Sequence, residues 1–161
     1  MKELSYVMVK PDYANNKELI HMVRNRILKS GKNFKIVVEG HINYTVDAAR
    51  LHYSEHVEKP FYPELERYIT SDKAYGMVVE GDGCIDFIHD ASFMGKTKNP
   101  AEGTIRHTGL KMMGYLDRDP NINGTQNVAH SSDSVEAAEK EISIFIKLLE
   151  KELKKNDDLS L

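Results

Sequence analysis

The chain has 161 residues, a net charge of −3 and 29% charged residues. That length suits one domain with a real core and is short for two, and the near-neutral balance supplies no broad field for nucleic acid or an anionic membrane. No apolar run approaches the ~18 residues of a membrane span, the lone Cys84 excludes an intrachain disulfide and a cysteine-only metal cage, and MKELSYVMVKPD at the start has no secretory-signal core, so a soluble, cytoplasmic protein is expected.

Residues 4–9 form an apolar run that reads as a buried strand, stopped by Pro11, which has no N–H for a ladder. Leu19, Ile20, Val23, Ile27 and Leu28 recur at helical spacing, with Gly31 as a stop. Phe34, Ile36 and Val38 alternate as in a strand. Asp47 is placed to cap a helix running to about His56, and Pro60 and Pro63 open another that carries Leu65, Tyr68 and Ile69. Residues 74–80 read as a strand closed by Gly81. Residues 82–95 fit strand propensity at Cys84–Ile88 and helical spacing at Ile85, Ile88 and Ala91. Residues 96–126 show no sustained period and several Gly and Pro residues, so a long functional loop is expected. The last element is a helix with Val135, Ala138, Ile142, Phe145, Leu149 and Leu153 on one stripe, opened by Asp133 and Glu136 as a capping pair. The charged tail 155–161 is expected to fray. Strands alternating with helices give an α/β or α+β class.

Several chemistries are absent from the sequence: it has no GxxxxGK[ST] loop, no GxGxxG after a strand, no GxSxG elbow and no HExxH. Cys84 lies in an apolar context and reads as a small core residue. His52 and His56 have metal-pair spacing on a helix, but no second pair completes a tetrahedral site nearby, so a plain surface pair is the expectation. The informative segment is NVAHSSDSVE at 127–136. It puts His130 at the end of a short strand and just before a helix N-terminus, where unpaired N–H groups favour a phosphate. A neutral imidazole is a good nucleophile near neutral pH. Glu141, a carboxylate beside the apolar stripe two turns into that helix, could orient the histidine and its serine neighbour.

NVAHSSDSVEAAEKEI closely resembles the active-site signature of nucleoside diphosphate kinases. VKPD at 9–12, HY at 52–53, KPFYPEL at 59–65, MVVEG at 77–81, GKTKNP at 95–100 and EGTIR at 102–106 match further landmarks of that family in the same order. The resemblance implies a ferredoxin-like α+β (α/β) fold over a single domain, 1–161: a four-stranded antiparallel sheet of βαββαβ order covered by helices packed on one face, with 82–94 helical. It implies transfer of the γ-phosphate of ATP to nucleoside diphosphates through a phosphohistidine, His130. Lys10 and Tyr53 would position the phosphate, Phe61 would stack on the base, and Thr97 and Arg106 would bind distal phosphates. Asn127 and Lys10 would bind the ribose hydroxyls, and Ser132 and Glu141 would hold the imidazole. Mg²⁺ would be held mainly by nucleotide and water, and a homo-oligomer is expected.

Three features depart from the family pattern. An arginine expected before the GxT segment is replaced around His89–Ala91, with Lys96, Lys98 or His89 as stand-ins; an unreplaced guanidinium fork costs roughly 1.5–3 kcal/mol of phosphate binding. The loop 107–126 is enlarged by about eleven residues, leaving Leu110, Met112 and Met113 as candidates to cover the base. Ser131 stands where a glycine or alanine is usual. These departures motivate a second reading, a nucleotide-binding or scaffolding relative with little turnover.

Overall fold

The computed structural model describes residues 2–159, with side chains described through 156. Four strands form one sheet: β1 (Lys2–Val9), β2 (Lys35–Ile42), β3 (Ala74–Asp82) and β4 (Ala129–Ser131). They lie in the order β2-β3-β1-β4, and every pairing is antiparallel. The helices are α1 (Lys17–Leu28), α2 (Val46–His52), α3 (Tyr62–Ile69), α4 (Cys84–His89), α5 (Ile105–Met113), α6 (Pro120–Thr125) and α7 (Val135–Leu159). The two central strands are therefore β3 and β1, and the functional segment enters as a short edge strand beside β1.

Helices cover both faces of the sheet, not one. The cause is legible in β1, which is apolar or aromatic at every position from Tyr6 to Val9 and so has no face to give to water. Val7 and Val9 pack with Met77 and Val79 of β3 against α1, α4 and α5, where Leu19, Val23, Ile85, Ile88 and Ile105 are buried. Tyr6 and Met8 point to the opposite face and pack with Val78, with Ala49 of α2, with Leu65 and Ile69 of α3 and with Phe145 of α7. The single cysteine, Cys84, is a fully buried member of the first cluster.

Several local boundaries differ from expectation. The α2 cap is Thr45, whose hydroxyl accepts from the Ala48 N–H at 3.1 Å, and the helix stops at His52, with a short 3-10 turn at Ser54–His56 after it. Asp47 lies two residues past the cap, inside the first turn. The α7 cap is Ser134, whose Oγ accepts from the Ala137 N–H at 3.0 Å, rather than an Asp133–Glu136 pair. The ambiguous stretch after β3 resolves as α4, shorter than the expected helix. The stretch 107–126 is largely helical: α5 is capped by Thr104 and α6 by Asp119, and Gly114 ends α5 at φ 73. The charged tail continues α7 through Leu159; positions 160–161 lie outside the described residues.

Candidate active site

The site begins with register. His130 on β4 lies opposite Met8 on β1, and the backbone N–H of Ser132 continues the ladder onto the Tyr6 carbonyl at 3.0 Å. His130 therefore faces the Tyr6 side of the sheet, beneath α7. The buried face of that helix reads Ala138, Glu141, Phe145 and Leu148, so Glu141 occupies a core position, 5% exposed. A carboxylate there needs donors. It has them: His130 Nε2 lies 2.9 Å from Oε1, and the Ser132 hydroxyl donates to the same oxygen at 2.8 Å. Ser132 Oγ in turn accepts the Tyr6 N–H at 2.9 Å, which fixes its rotor. Burial raises the Glu141 pKa, with His52 and the Ser132 hydrogen bond pulling the other way.

A carboxylate only accepts, so the His130 nitrogen facing Glu141 carries the proton. In a neutral ring the other nitrogen, Nδ1, then holds the lone pair. Burial, with Lys10 and Arg106 nearby, drives the His130 pKa down to about 3, so the ring is neutral at physiological pH. His130, Tyr53, Arg106 and Glu141 line one cleft of about 450 Å³ together with His52, His89, Ser131 and Lys140. A larger hollow of about 660 Å³, lined by Asp12, Arg67, Tyr68 and Gln126, lies elsewhere and holds none of these groups.

Two basic side chains, the buried Lys10 and the partly buried Arg106, flank the histidine. Lys10 is 5% exposed, its backbone N–H clamped to the Val128 carbonyl at 3.0 Å, and burial with the adjacent Arg106 lowers its pKa to about 7. Arg106, near the start of α5, donates from Nε and Nη2 to the Ala129 carbonyl at 3.2 and 2.8 Å and from Nη1 to the Gly95 carbonyl at 2.6 Å. These bonds hold the guanidinium at the cleft and leave one N–H on each terminal nitrogen free. Tyr53 is buried with its hydroxyl unpartnered.

The remaining expected residues sit further out. Phe61 is 46% exposed at the start of α3, with its ring 5.5 Å from that of His56, a residue of the cleft rim. Thr97 is exposed in the segment that follows Gly95. Asn127 is buried; its amide donates to the Gly124 carbonyl at 2.9 Å while its Oδ1 has no partner. Of the three stand-ins for the missing arginine, His89 lines the cleft, whereas Lys96 and Lys98 are exposed outside it. Its Nδ1 lies 3.1 Å from Ser131 Oγ, so two departures from the family pattern contact each other. Leu110 is core, Met113 packs toward α1 and Met112 is exposed; none of the three lines the cleft. The residue that sequence reasoning undervalued is His52. It is 2% exposed rather than a surface group, and its ring lies 4.8 Å from that of His130. The signal for it was its position on the inner face of α2, one residue before Tyr53.

The nucleoside diphosphate kinase family model matches residues 3–151. The chain belongs to the nucleoside diphosphate kinase family. Its relatives include nucleoside diphosphate kinases of Methanosphaera stadtmanae, 35% identical over 145 residues, and of Bacillus cereus, 38% identical over 147 residues. The matches cover 90% of this chain and 86% and 88% of those proteins. Among solved structures, the Aquifex aeolicus nucleoside diphosphate kinase superposes with a TM-score of 0.73 at 26% identity, covering 90% of this chain and 95% of that one. A Halobacterium salinarum family member in complex with CDP superposes at 0.69 with 30% identity, covering 90% and 88%. The four-stranded antiparallel sheet is the fold expected of the family.

Proposed function

We propose that this family member transfers the γ-phosphate of ATP to nucleoside diphosphates by a ping-pong route through Nδ1 of His130. The observation that carries the reading is the His130 Nε2 to Glu141 Oε1 contact of 2.9 Å, with Glu141 itself held by Ser132. The Nδ1 lone pair attacks the γ-phosphorus; the bond to the bridging oxygen breaks, and its electron pair leaves on ADP. The ring becomes cationic, and the Glu141 carboxylate stabilises that charge through Nε2–H. A second nucleoside diphosphate then reverses the step. Lys10 and the two free N–H groups of Arg106 offer positive charge where phosphate charge shifts, which is how phosphoryl transfer is accelerated.

In the same reading, Phe61 is a stacking platform that accepts any base, since every base has a π-face. The unpartnered Asn127 Oδ1 and Lys10 take the ribose hydroxyls, Tyr53 positions the phosphate, and Thr97 closes on the distal phosphates. Mg²⁺ would supply charge neutralisation on the nucleotide phosphates. The described side chains fit a cation carried by nucleotide and water: the one ligand cluster among them contains two histidines, a poor donor set for Mg²⁺. A cytoplasmic location and a homo-oligomer complete the reading. No described helix is long and apolar enough to cross a membrane. The enlarged 107–126 segment belongs to it too: Arg118 there bonds Tyr13 and Asn123 and ties α6 to the exit of β1.

Incubation with γ-labelled ATP is expected to leave an acid-labile label on His130 that chases into added nucleoside diphosphate. Equal labelling of a His130→Ala variant, or only acid-stable label, would refute the assignment and favour the weakly active binding relative.

A further inference from the structure

Beside the phosphate chemistry, one buried side-chain nitrogen among the described residues lacks a hydrogen-bond partner: Nε2 of His52. It points toward the back of the Glu141 carboxylate, 3.8 Å from Oε2, while His130 Nε2 occupies Oε1. The ligand atoms of His52, His130 and Glu141 all lie within 4.8 Å of one another. All three side chains line the same cleft, which gives the cluster an entry path. The i,i+4 partner offered by the sequence does not take part: His56 is turned to Lys59 through Nδ1 and to Glu55 through Nε2. The second imidazole comes from β4 instead.

We propose that His52 Nε2, His130 Nε2 and the Glu141 carboxylate form a site for a borderline transition cation of the Zn²⁺ type, and that filling it switches His130 off. Two imidazoles and one carboxylate with an open position are a donor set zinc accepts at ~2.0–2.2 Å from each ligand. Side-chain rotations would have to draw the ligand atoms, now within 4.8 Å of one another, inward to reach such distances. A ligating histidine donates its other N–H to an outer acceptor. For His52 that acceptor is in place: Nδ1 lies 3.1 Å from the Tyr44 hydroxyl, which lies 3.1 Å from the hydroxyl of Tyr6. Tyr44 accepts the His52 Nδ1–H hydrogen bond and donates its own O–H to the Tyr6 hydroxyl oxygen. Both rings are held neutral by burial, so no proton has to be expelled before the metal binds.

The switch follows from counting protons. With Glu141 as its partner, His130 carries its one ring proton on Nε2 and its lone pair on Nδ1. With a cation on Nε2, the lone pair at Nε2 is the donor, and the proton moves through cleft water to Nδ1. No atom is gained or lost by the ring, but Nδ1 no longer has a pair to offer phosphorus. This consequence rests on His130 Nδ1 being the nucleophile; the binding itself does not.

The two parts are tested separately. Nucleotide-free protein titrated with Co²⁺ should take up one equivalent per chain with the intense visible absorption of a tetrahedral site, displaced by Zn²⁺. His52→Gln should weaken that uptake at least about tenfold, the scale of losing a supporting contact. Should His52→Gln fail to fold, ring ¹⁵N spectra of the wild-type protein decide: two histidines, His52 and His130, must shift together as Zn²⁺ is added. In Mg²⁺-ATP assays with buffered free Zn²⁺, inhibition should follow the same binding curve. Uptake of less than one equivalent, octahedral-type absorption, or shifts confined to surface histidines would overturn the site. Stoichiometric binding with undiminished labelling of His130 would overturn the switch while leaving the site.

Discussion

Lys10 shows how one residue is tuned by its burial. Its ammonium sits beside Arg106 in the interior, and the pKa falls to about 7 from an ordinary 10.5, first through desolvation and then through the neighbouring guanidinium. The sign matters: as pH rises through about 7 the free protein loses this charge, and a bound polyphosphate favours regaining it. Nucleoside diphosphate binding at about pH 8 is therefore expected to take up close to one proton, read as the dependence of calorimetric binding heat on buffer ionisation enthalpy. Lys10→Gln should abolish the uptake and weaken binding by roughly 1.5–3 kcal/mol, the scale of a charged hydrogen bond. Uptake that persists in the variant would assign the proton elsewhere. Glu141 acts on the chemistry from the opposite side. Glu141→Gln replaces an acceptor that dictates the ring tautomer with an amide whose N–H₂ can face His130, so kcat should fall roughly 10²–10⁴-fold with KM little changed. Steady-state kinetics on the variant check this; a proportionate rise in KM instead would make Glu141 a binding group.

At the scale of elements, the legible features were those whose pattern is local. The β1 run, the α1 periodicity and the strand-turn-helix around His130 all matched, because each buries a face set by its own spacing. The helices of the 107–126 region escaped for a physical reason. Their glycines and prolines read as breakers, yet Gly114 ends α5, Pro120 opens α6, and Gly109 faces the core where a side chain has no room. A Cβ at Gly109 would lie 2.6 Å from Val128 Cγ1. Val128 is the residue whose carbonyl fixes Lys10, and Asn127 precedes it. The close approach of α5 thus sets the backbone that presents both groups. In an open helix Gly→Ala would add roughly 0.5–1 kcal/mol. Here Gly109→Ala should instead destabilise by about 1–3 kcal/mol through overpacking, and raise the KM for nucleotide. Urea denaturation and steady-state kinetics measure the two effects, and a stabilised variant would contradict the packing. The site itself was only half legible. Local motifs located His130, Ser132 and Glu141, but the contact of His52 with His130 joins α2 to β4 across the sheet face, and no spacing along the chain encodes it.

For the whole molecule, the mild net charge conceals an unusually costly interior. Lys10, His52, His130 and Glu141 are all drawn from water into one region of the fold, and each is shifted toward its neutral form. Their linkage to stability differs in sign. His52 and His130 hold folded pKa values below the ordinary 6.5, the latter about 3. As pH falls through about 6.5, the unfolded chain takes up protons that the folded one refuses, so stability drops. Glu141, with its pKa raised, takes up a proton earlier in the folded state than in the unfolded one and offsets part of the loss. His41, whose pKa desolvation and Lys73 hold down although the residue is exposed, adds a smaller share in the same direction as the other histidines. Between one and two net protons give a slope of about 1.4–2.7 kcal/mol per pH unit below about pH 6.5. Urea unfolding between about pH 7 and 5 should show that slope, and His52→Gln should reduce it by close to one proton. A wild-type curve that stays flat over the window would mean that the buried histidines titrate normally in the folded protein.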